Sequence, residues 1–478
     1  MAADATAFPV PALADRARDC ARAVRAADTV LVAAHIDADG LTSAGIAATA
    51  LERVGIPHEV VFATQLDPDE IAAIAATDHD TVLFTDFGSG QLETITEHAA
   101  TDAFTPVVVD HHQPADAGTP HHLNPLLEGL NGATELSGAG ATYLLARALG
   151  DDGTEMRDLA ALAVVGAVGD RQAEDGELVG ANAAIVEEGA AVDAVEAVTD
   201  LAVYGTQTRP LPKLLEYADD VTIPGVTGSA SGAIQFLEAL DVDLRDGDDW
   251  RTWADLAPAE RQTVVSALLR RGMDRGVPPD RIDALVGTSY VLTAEAPGTV
   301  LRDASEFSTL LNATARYDRA DVGLAVCLGD RGGAFNEAQR LLRTHRQNLS
   351  TGLDWVVDHG VTREDNVQWF HAEDHIKATI VGIVAGMAVG ADGIPGDVPI
   401  VAFADKPDDP DAVKVSARGT PALVRRGLDL SQAMHEAATA VGGDGGGHDV
   451  AAGATVPRGR EDEFIDRVDA IVGDQLPA

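Results

Sequence analysis

Residues 29–40 read Thr-Val-Leu-Val-Ala-Ala-His-Ile-Asp-Ala-Asp-Gly: a short apolar run, then His35, Asp37 and Asp39, then a glycine. A brief apolar run that ends on a turn signal reads as a strand buried on both faces. The residues that follow, Leu41–Val54, read as a helix. Strand, short polar turn and helix is the repeating unit of a parallel sheet. Ligands of open parallel sheets collect outside the carboxyl ends of the strands, which is where His35, Asp37 and Asp39 stand. Gly40 lets the chain turn tightly into the helix.

Working outward, the same alternation continues. Glu59–Ala63, Thr81–Thr85 and Pro106–Val109 read as strands. Asp69–Ala76, Ala139–Leu149, Met156–Val168 and Ala181–Gly189 read as helices. This predicts a first α/β domain over 1–205, with a parallel sheet covered on both faces. Residues 206–285 break the pattern with Pro210, Pro212, Pro224, a Gly/Ser cluster at 225–232 and an acidic run at 241–249. They read as a linker plus a small helical insertion. Over 286–478 the alternation returns, with strands expected at Tyr290–Thr293, Val322–Leu328, Val367–Phe370, Val398–Phe403 and Val413–Ala417 and a long helix near 334–349. That predicts a second, smaller α/β domain.

Composition narrows the function classes. The chain has 478 residues, 46% hydrophobic and 23% charged, as expected of a folded protein of more than one domain. Lys+Arg is 34 and Asp+Glu is 77, a formal net charge of −43, which excludes a generally basic nucleic-acid coat but not a local site. Lysine occurs four times, at 213, 377, 406 and 414. Such acidity suits very high salt, where screening acts over ~3 Å at 1 M; an acidic protein of ordinary salt is the alternative. The two cysteines, Cys20 and Cys327, describe no disulfide framework, and a reducing cytoplasm fits. The opening residues lack the basic start of a signal peptide. The most apolar stretch, Ala378–Val389, is too short for a membrane span, so no membrane partner is expected.

Three further segments repeat the opening theme. Phe84-Thr-Asp86-Phe-Gly88 closes one apolar run with an acid, and Val107-Val-Val-Asp110-His111-His112 closes another. Gly166-Ala-Val-Gly169-Asp170 ends an apolar helix. Each alone is compatible with a polar turn or a helix cap. Neighbouring side chains diverge, so of His111 and His112 one is expected to bind an ion and the other to face substrate. Together the segments deliver several carboxylates and an imidazole to one end of one sheet. That gathering is strongly repulsive unless cations neutralise it. Oxygen-rich sets with some nitrogen favour Mn²⁺ or Mg²⁺, and a pair of such ions suits phosphoester hydrolysis.

In the second half, Lys414, Ser416 and Arg418 alternate along an expected strand and so share a face. Arg418 can grip a phosphate through two parallel hydrogen bonds. The run Gly445-Gly446-Gly447-His448 can bring backbone N–H groups close to a phosphate, although a flexible loop or a solvated strand face would read the same way.

These motifs, in this order, resemble the DHH phosphoesterase superfamily. His35-x-Asp37-x-Asp39-Gly40, Thr85-Asp86-x-Gly88, Asp110-His111-His112 and Gly169-Asp170 look like its four motifs, and Gly445–Gly453 like the signature of its associated DHHA1-type C-terminal domain. The resemblance covers most of the chain and is nearest the RecJ-like branch, whose two domains face each other across a groove. The stretches 204–211, 223–228 and 305–312 look like the archaeal form, which includes the GINS-associated nuclease; a haloarchaeal source would fit the charge.

The resemblance implies two Mn²⁺ ions, with Mg²⁺ as the alternative, on Asp37, Asp39, Asp86, His111 and Asp170, with Asp86 bridging. His35 stands where phosphatase-like relatives carry a ligand and bacterial RecJ carries none. The resemblance makes His112 substrate-facing; with Asp110 it forms the expected catalytic pair. Lys414, Ser416, Arg418, Gly446, Gly447 and His448 would hold the nucleic-acid backbone. The implied activity is a single-strand exonuclease on DNA, or RNA, running 5′→3′, in replication or repair. Two rivals remain open: a phosphodiesterase for short oligonucleotides or cyclic dinucleotides, and a replisome scaffold that binds GINS. A pure scaffold should have an eroded acid–histidine set; here the set is intact.

Overall fold

The structure, a computed structural model, describes residues 8–476 apart from 102, 151–153, 175, 219–221 and 408 and the side chain of residue 280. Contacts divide the chain into two compact units, residues 1–339 and 340–478. Both are α/β.

The first unit is built on strands β1 (Val30–His35), β2 (His58–Ala63), β3 (Thr81–Thr85), β4 (Thr105–Val109) and β5 (His122–Leu123). They form one sheet in the order β2-β1-β3-β4-β5, every pair parallel. Parallel neighbours need crossovers, and the helices α2 (Ala38–Val54), α3 (Pro68–Ala75) and α4 (Leu92–Ala99) supply them between β1 and β4, while α1 (Ala14–Ala26) precedes the sheet and α5 (Gly138–Leu149) follows it. On one face Leu31, Ala33, Val82, Phe84 and Val108 pack against Ile71 and Ile74 of α3 and Leu92 and Ile95 of α4. Helices α1, α2 and α5 cover the other. Each large apolar side chain so buried stabilises the fold by roughly 1.5–3 kcal/mol. The chain leaves β1 for β2 on one side and returns to β3 on the other, so the strand order reverses between β1 and β3. A crevice opens at such a reversal, outside the carboxyl ends of the strands.

Helices α6 (Ala160–Gly169) and α7 (Gly180–Ala191) pack outside α2 and α5. Residues 211–285 form helices around a small core of their own, centred on Trp253 with Leu211, Leu214, Val264 and Leu268. Residues 286–339, grouped on sequence with the second α/β domain, pack within the first unit. Strand Val286–Leu292 pairs antiparallel with Val195–Leu201, and helix Ala304–Ala315 lies against α6. The expected strand at Val322–Leu328 is a helix, Ala320–Cys327. A short Val/Leu run has no period to separate the two states, and packing against α2 decides.

The second unit carries a mixed sheet in the order 362–363, 368–371, 400–405, 412–418, 451–457, 444–447. Val401, Phe403, Val413 and Val415 pack on helices Leu430–Val441 and Glu461–Gln475. Ile400, Ala402 and Ala404 face helix Val381–Ala388 instead. The apolar stretch 378–389 is thus a core helix. Among the described residues no helix is long and apolar enough to cross a membrane.

Candidate metal centre

Asp37 is the N-cap of α2, its Oδ1 accepting the Gly40 N–H at 2.9 Å. The helix therefore starts one turn earlier than its apolar spacing suggests, and Asp39 lies inside its first turn, 2% exposed. Both Asp39 oxygens are held by the start of α5, Oδ2 by Gly138 N–H at 2.7 Å and Oδ1 by Ala139 N–H at 2.9 Å. A helix N-terminus stabilises such a carboxylate. Glycines make the approach feasible: a side chain at Gly138 would collide with Asp86, and one at Gly166 with Asp39.

Asp86 follows β3. Its N–H still bonds Val109 O at 3.0 Å, but its φ is +63°, a left-handed conformation that costs a non-glycine residue about 1–2 kcal/mol. The carboxylate is 2% exposed. Its Oδ2 faces His35 Nδ1 at 3.6 Å and its Oδ1 faces His111 Nε2 at 3.2 Å. His35 Nδ1 also meets Asp37 Oδ2 at 3.0 Å. Among the described residues three overlapping donor groups result: His35, Asp37 and Asp86 on one side, Asp39, His111 and Asp170 on the other, and Asp86, Asp110, His111 and His112 between strand ends, the ligand atoms of each lying within 4.8 Å of one another. Asp86 touches all three.

His111 is oriented from behind. Its Nδ1 donates to Gly132 O at 2.6 Å, leaving Nε2 to the carboxylates. Gln172, fully buried, gives Nε2–H to Asp170 Oδ2 at 2.8 Å and to Gly132 O at 2.9 Å, and its own oxygen accepts from Asn182 at 2.7 Å. Asp170 caps the carboxyl end of α6 and is one-third exposed.

Asp110 and His112 adjoin this set through Asp86 and His111 but are held differently. Asp110 is fully buried and spends its oxygens on the N–H groups of Ser89, His111 and His112. Its Oδ1 also accepts from His112 Nδ1 at 2.8 Å. The His112 side chain is 57% exposed, whereas that of His111 is 7% exposed. Behind them Ser89 Oγ bridges His122 Nε2 and Asn124 Nδ2, each at 2.9 Å.

The titration of these groups records the crowding. Burial, Asp86 and Asp170 push Asp39 well above the ordinary carboxylate range. Burial pushes Asp170 up to about 6, with Asp86 adding and His111 opposing. Burial disfavours charge on His35, but Asp37 and Asp86 outweigh it and raise the imidazole to about 11. Burial likewise opposes charge on His111, and Asp86, Asp39 and Asp170 override it. Asp37 and Asp110 go the other way: burial is outweighed by His35 and the Gly40 N–H for the first, and by His112 and His111 for the second. Alone, the cluster can limit its charge only by keeping protons. Like charges ~4 Å apart repel by about 4 kcal/mol at an effective dielectric of 20, so the donor set is one that a divalent cation would fit.

In the second unit Lys414, Ser416 and Arg418 lie on one face of strand Ala412–Arg418. The glycine run is the edge strand Asp444–Gly447, and Gly446, Gly453 and Ser416 stand side by side across three strands. His448 is exposed at the turn, closed by His448 N–H to Ala451 O at 2.9 Å. Gly382 and Gly386 of the covering helix leave room for Arg418. The result is bare backbone flanked by a lysine, a hydroxyl and a guanidinium. No single segment of the sequence signals Gln172, Gly132, Asn182 or Gly138, because each acts on a partner distant in the chain.

Residues 29–167 match the DHH family, N-terminal domain; residues 203–286 match the DHH-CID domain and 366–474 the DHHA1 domain. An uncharacterized protein of Methanocaldococcus jannaschii is 31% identical over 455 residues, 94% of each chain. RecJ from Thermus thermophilus, solved with Mn²⁺ and also with Mg²⁺, is similar in fold. With the Mn²⁺ form the TM-score is 0.60 at 19% identity, over 98% of this chain and 56% of that one, so this chain spans little more than half of that RecJ. CDC45 from Entamoeba histolytica gives a TM-score of 0.64 at 11% identity, over 96% and 97% of the two chains.

Proposed function

Because the chain belongs to the DHH family, we propose that it is a metal-dependent exonuclease that degrades single-stranded DNA from the 5′ end, with RNA as a second substrate. The observation that carries this reading is Asp86, whose two oxygens address two separate groups of ligands. In this reading Asp37, Asp39, Asp86, His111 and Asp170, with His35, would hold two Mn²⁺; Mg²⁺ is the alternative ion. Bound there, the ions would supply an acidified water and neutralise charge on the phosphoryl oxygens.

The chain's own groups do the rest. Asp110 fixes His112 through Nδ1, so Nε2 turns outward and can carry a proton toward the phosphate or the departing oxygen. The hydrogen bond that His112 donates to Asp110 raises the pKa of His112 and so favours its protonated form. Arg418, Lys414 and Ser416, with the glycine backbone at Gly446 and Gly447 and the side chain of His448, would grip the phosphates of the strand. In strong salt, counterion release contributes little, so these short-range bonds must carry binding.

The test is digestion of single strands labelled at the 5′ or 3′ end, with Mn²⁺ or EDTA, in molar KCl. Release from the 5′ end, abolished by EDTA and absent on duplex, is the expected result. Failure to degrade any strand with Mn²⁺ would overturn the nuclease, and faster turnover of a dinucleotide would favour the small-substrate phosphodiesterase. A place in the replicative helicase, with GINS as partner, is a separate proposal supported by the full-length fold likeness to CDC45. Capture of GINS from a lysate at native salt tests it.

A further inference from the structure

Helix Ala304–Ala315 contributes nothing to the ligand set, yet it touches the site from outside at two places. Asn312 Oδ1 accepts the Ala38 N–H at 3.1 Å, across 274 residues of sequence. Ala38 is the residue between Asp37 and Asp39, and its N–H is one of the donors that the first turn of α2 leaves without a helical partner. One turn earlier on the same helix, Ser308 packs on Gly169, the residue before Asp170. A Cβ at Gly169 would lie 2.9 Å from that of Ala38 and 3.1 Å from that of Ser308. The helix therefore bears at once on the turn carrying Asp37 and Asp39 and on the end of α6 carrying Asp170.

The helix is itself fixed at its start. Asp303 caps it, accepting the N–H groups of Ser305 and Glu306, each at 3.0 Å. The Glu306 carboxylate, fully buried, accepts Gln207 N–H at 2.7 Å and the Thr208 hydroxyl. A rigid element of ~1.5 Å rise per residue thus runs about 9 Å from the Glu306 anchor to Asn312.

We propose that this helix is a strut that sets the spacing between the Asp37–Asp39 turn and Asp170, with Asn312 as the positioning residue for the metal ligands. The inference rests on the two-ion reading above. Partners that orient ligands are worth ~10–100-fold in metal affinity. Asn312 works through its oxygen alone, so Asn312→Asp keeps the acceptor whereas Asn312→Leu removes it at similar volume.

The experiment is calorimetric titration of the full chain with Mn²⁺, with bound ion counted by electron paramagnetic resonance and folding checked by thermal melting. Wild type taking up two Mn²⁺ supports the reading beneath; wild type taking up none removes that reading, whatever the variants do. Given wild-type binding, Asn312→Leu should lose ~10–100-fold in Mn²⁺ affinity, while Asn312→Asp binds at least as tightly as wild type. Equal affinity of Asn312→Leu and wild type, or an equal loss in both variants, overturns the strut. Should Asn312→Leu fail to fold, Asn312→Ser, whose hydroxyl stops short of Ala38, takes its place with the same expected loss.

Discussion

The metal cluster and the glycine-edged face of the second unit are both polar sites on α/β sheets, but they are built on opposite principles. In the cluster nearly every oxygen is held: Asp39 by two helix N–H groups, Asp110 by three backbone N–H groups, Asp170 by Gln172. Its charge is buried, and its geometry is over-determined. The second face offers bare backbone at Gly446 and Gly453 beside partly buried cationic side chains on a strand, Arg418 giving Nη1–H to Ala417 O at 2.8 Å. The first arrangement is unfavourable until cations arrive; the second is stable alone and needs only an anion to bind. The sharpest way to break this contrast is Asp86→Asn. Asparagine tolerates the left-handed backbone, so the change isolates charge. It should abolish the Mn²⁺-induced rise in melting temperature and lower nuclease kcat/KM at least ~10³-fold, because one group serves both ions. Full activity in this variant would remove Asp86 from the site. Gly138→Ala should mimic the loss of activity by displacing the same carboxylate.

On the second face the effect should fall on substrate alone. Arg418→Ala removes charge-assisted hydrogen bonds worth about 1.5–3 kcal/mol, so KM for a long single strand should rise ~10–100-fold. Mn²⁺ affinity should stay at the wild-type value. A variant that lost Mn²⁺ affinity as well would erase the distinction between the two regions.

Acidity probes the cluster more gently. Asp170, raised to about 6, must ionise before it can bind a cation, and His111, also raised, must release its proton. Both requirements have the same sign: lowering pH adds protons that compete with metal. Mn²⁺ affinity should therefore fall as pH is lowered, His111 competing first and Asp170 joining below about pH 6, by up to about tenfold per pH unit for each proton displaced. Titrations in two buffers of different ionisation enthalpy would count those protons. Affinity that stays flat from pH 5 to 8 would contradict the assignment of Asp170 as a ligand.

What the sequence discloses follows the same divide. Strand ends are legible, because an apolar run stopped by Asp86 or Asp110 reports both the strand and the side of the sheet where its acid emerges. The helix cap at Asp37 is not, since Asp39 and Thr42 satisfy the same local pattern and only the approach of α5 selects among them. The glycine strand at 444–447 reads as a loop or anion cradle: glycine has no strand preference of its own, and the pairing comes from its apolar neighbour 451–457. The Val322–Leu328 run misleads because four or five apolar residues fit either state until their packing partner is known. Gln172 leaves no trace, and Asn312 shows only as the end of the stretch 305–312, without a role, since a polar residue that orients a distant ligand looks like any exposed amide.

The smallest predicted effect is also the cleanest comparison, because it makes one chemical change in both regions. A Cβ at Gly446 meets no atom within 4 Å, and no positive φ forbids it, so Gly446→Ala should leave folding and Mn²⁺ binding untouched. Any consequence must come from the ligand side, where a methyl group keeps a phosphate from approaching the backbone N–H groups. A loss of about 1 kcal/mol, the worth of one typical hydrogen bond, corresponds to roughly a fivefold rise in KM. In Gly138→Ala the added carbon meets a carboxylate already fixed by its neighbours, and the failure appears before any substrate is present. If Gly446→Ala raises KM with Mn²⁺ affinity unchanged, the edge strand belongs to the substrate path; if KM does not move, phosphate is held by the Arg418 face without the glycine backbone.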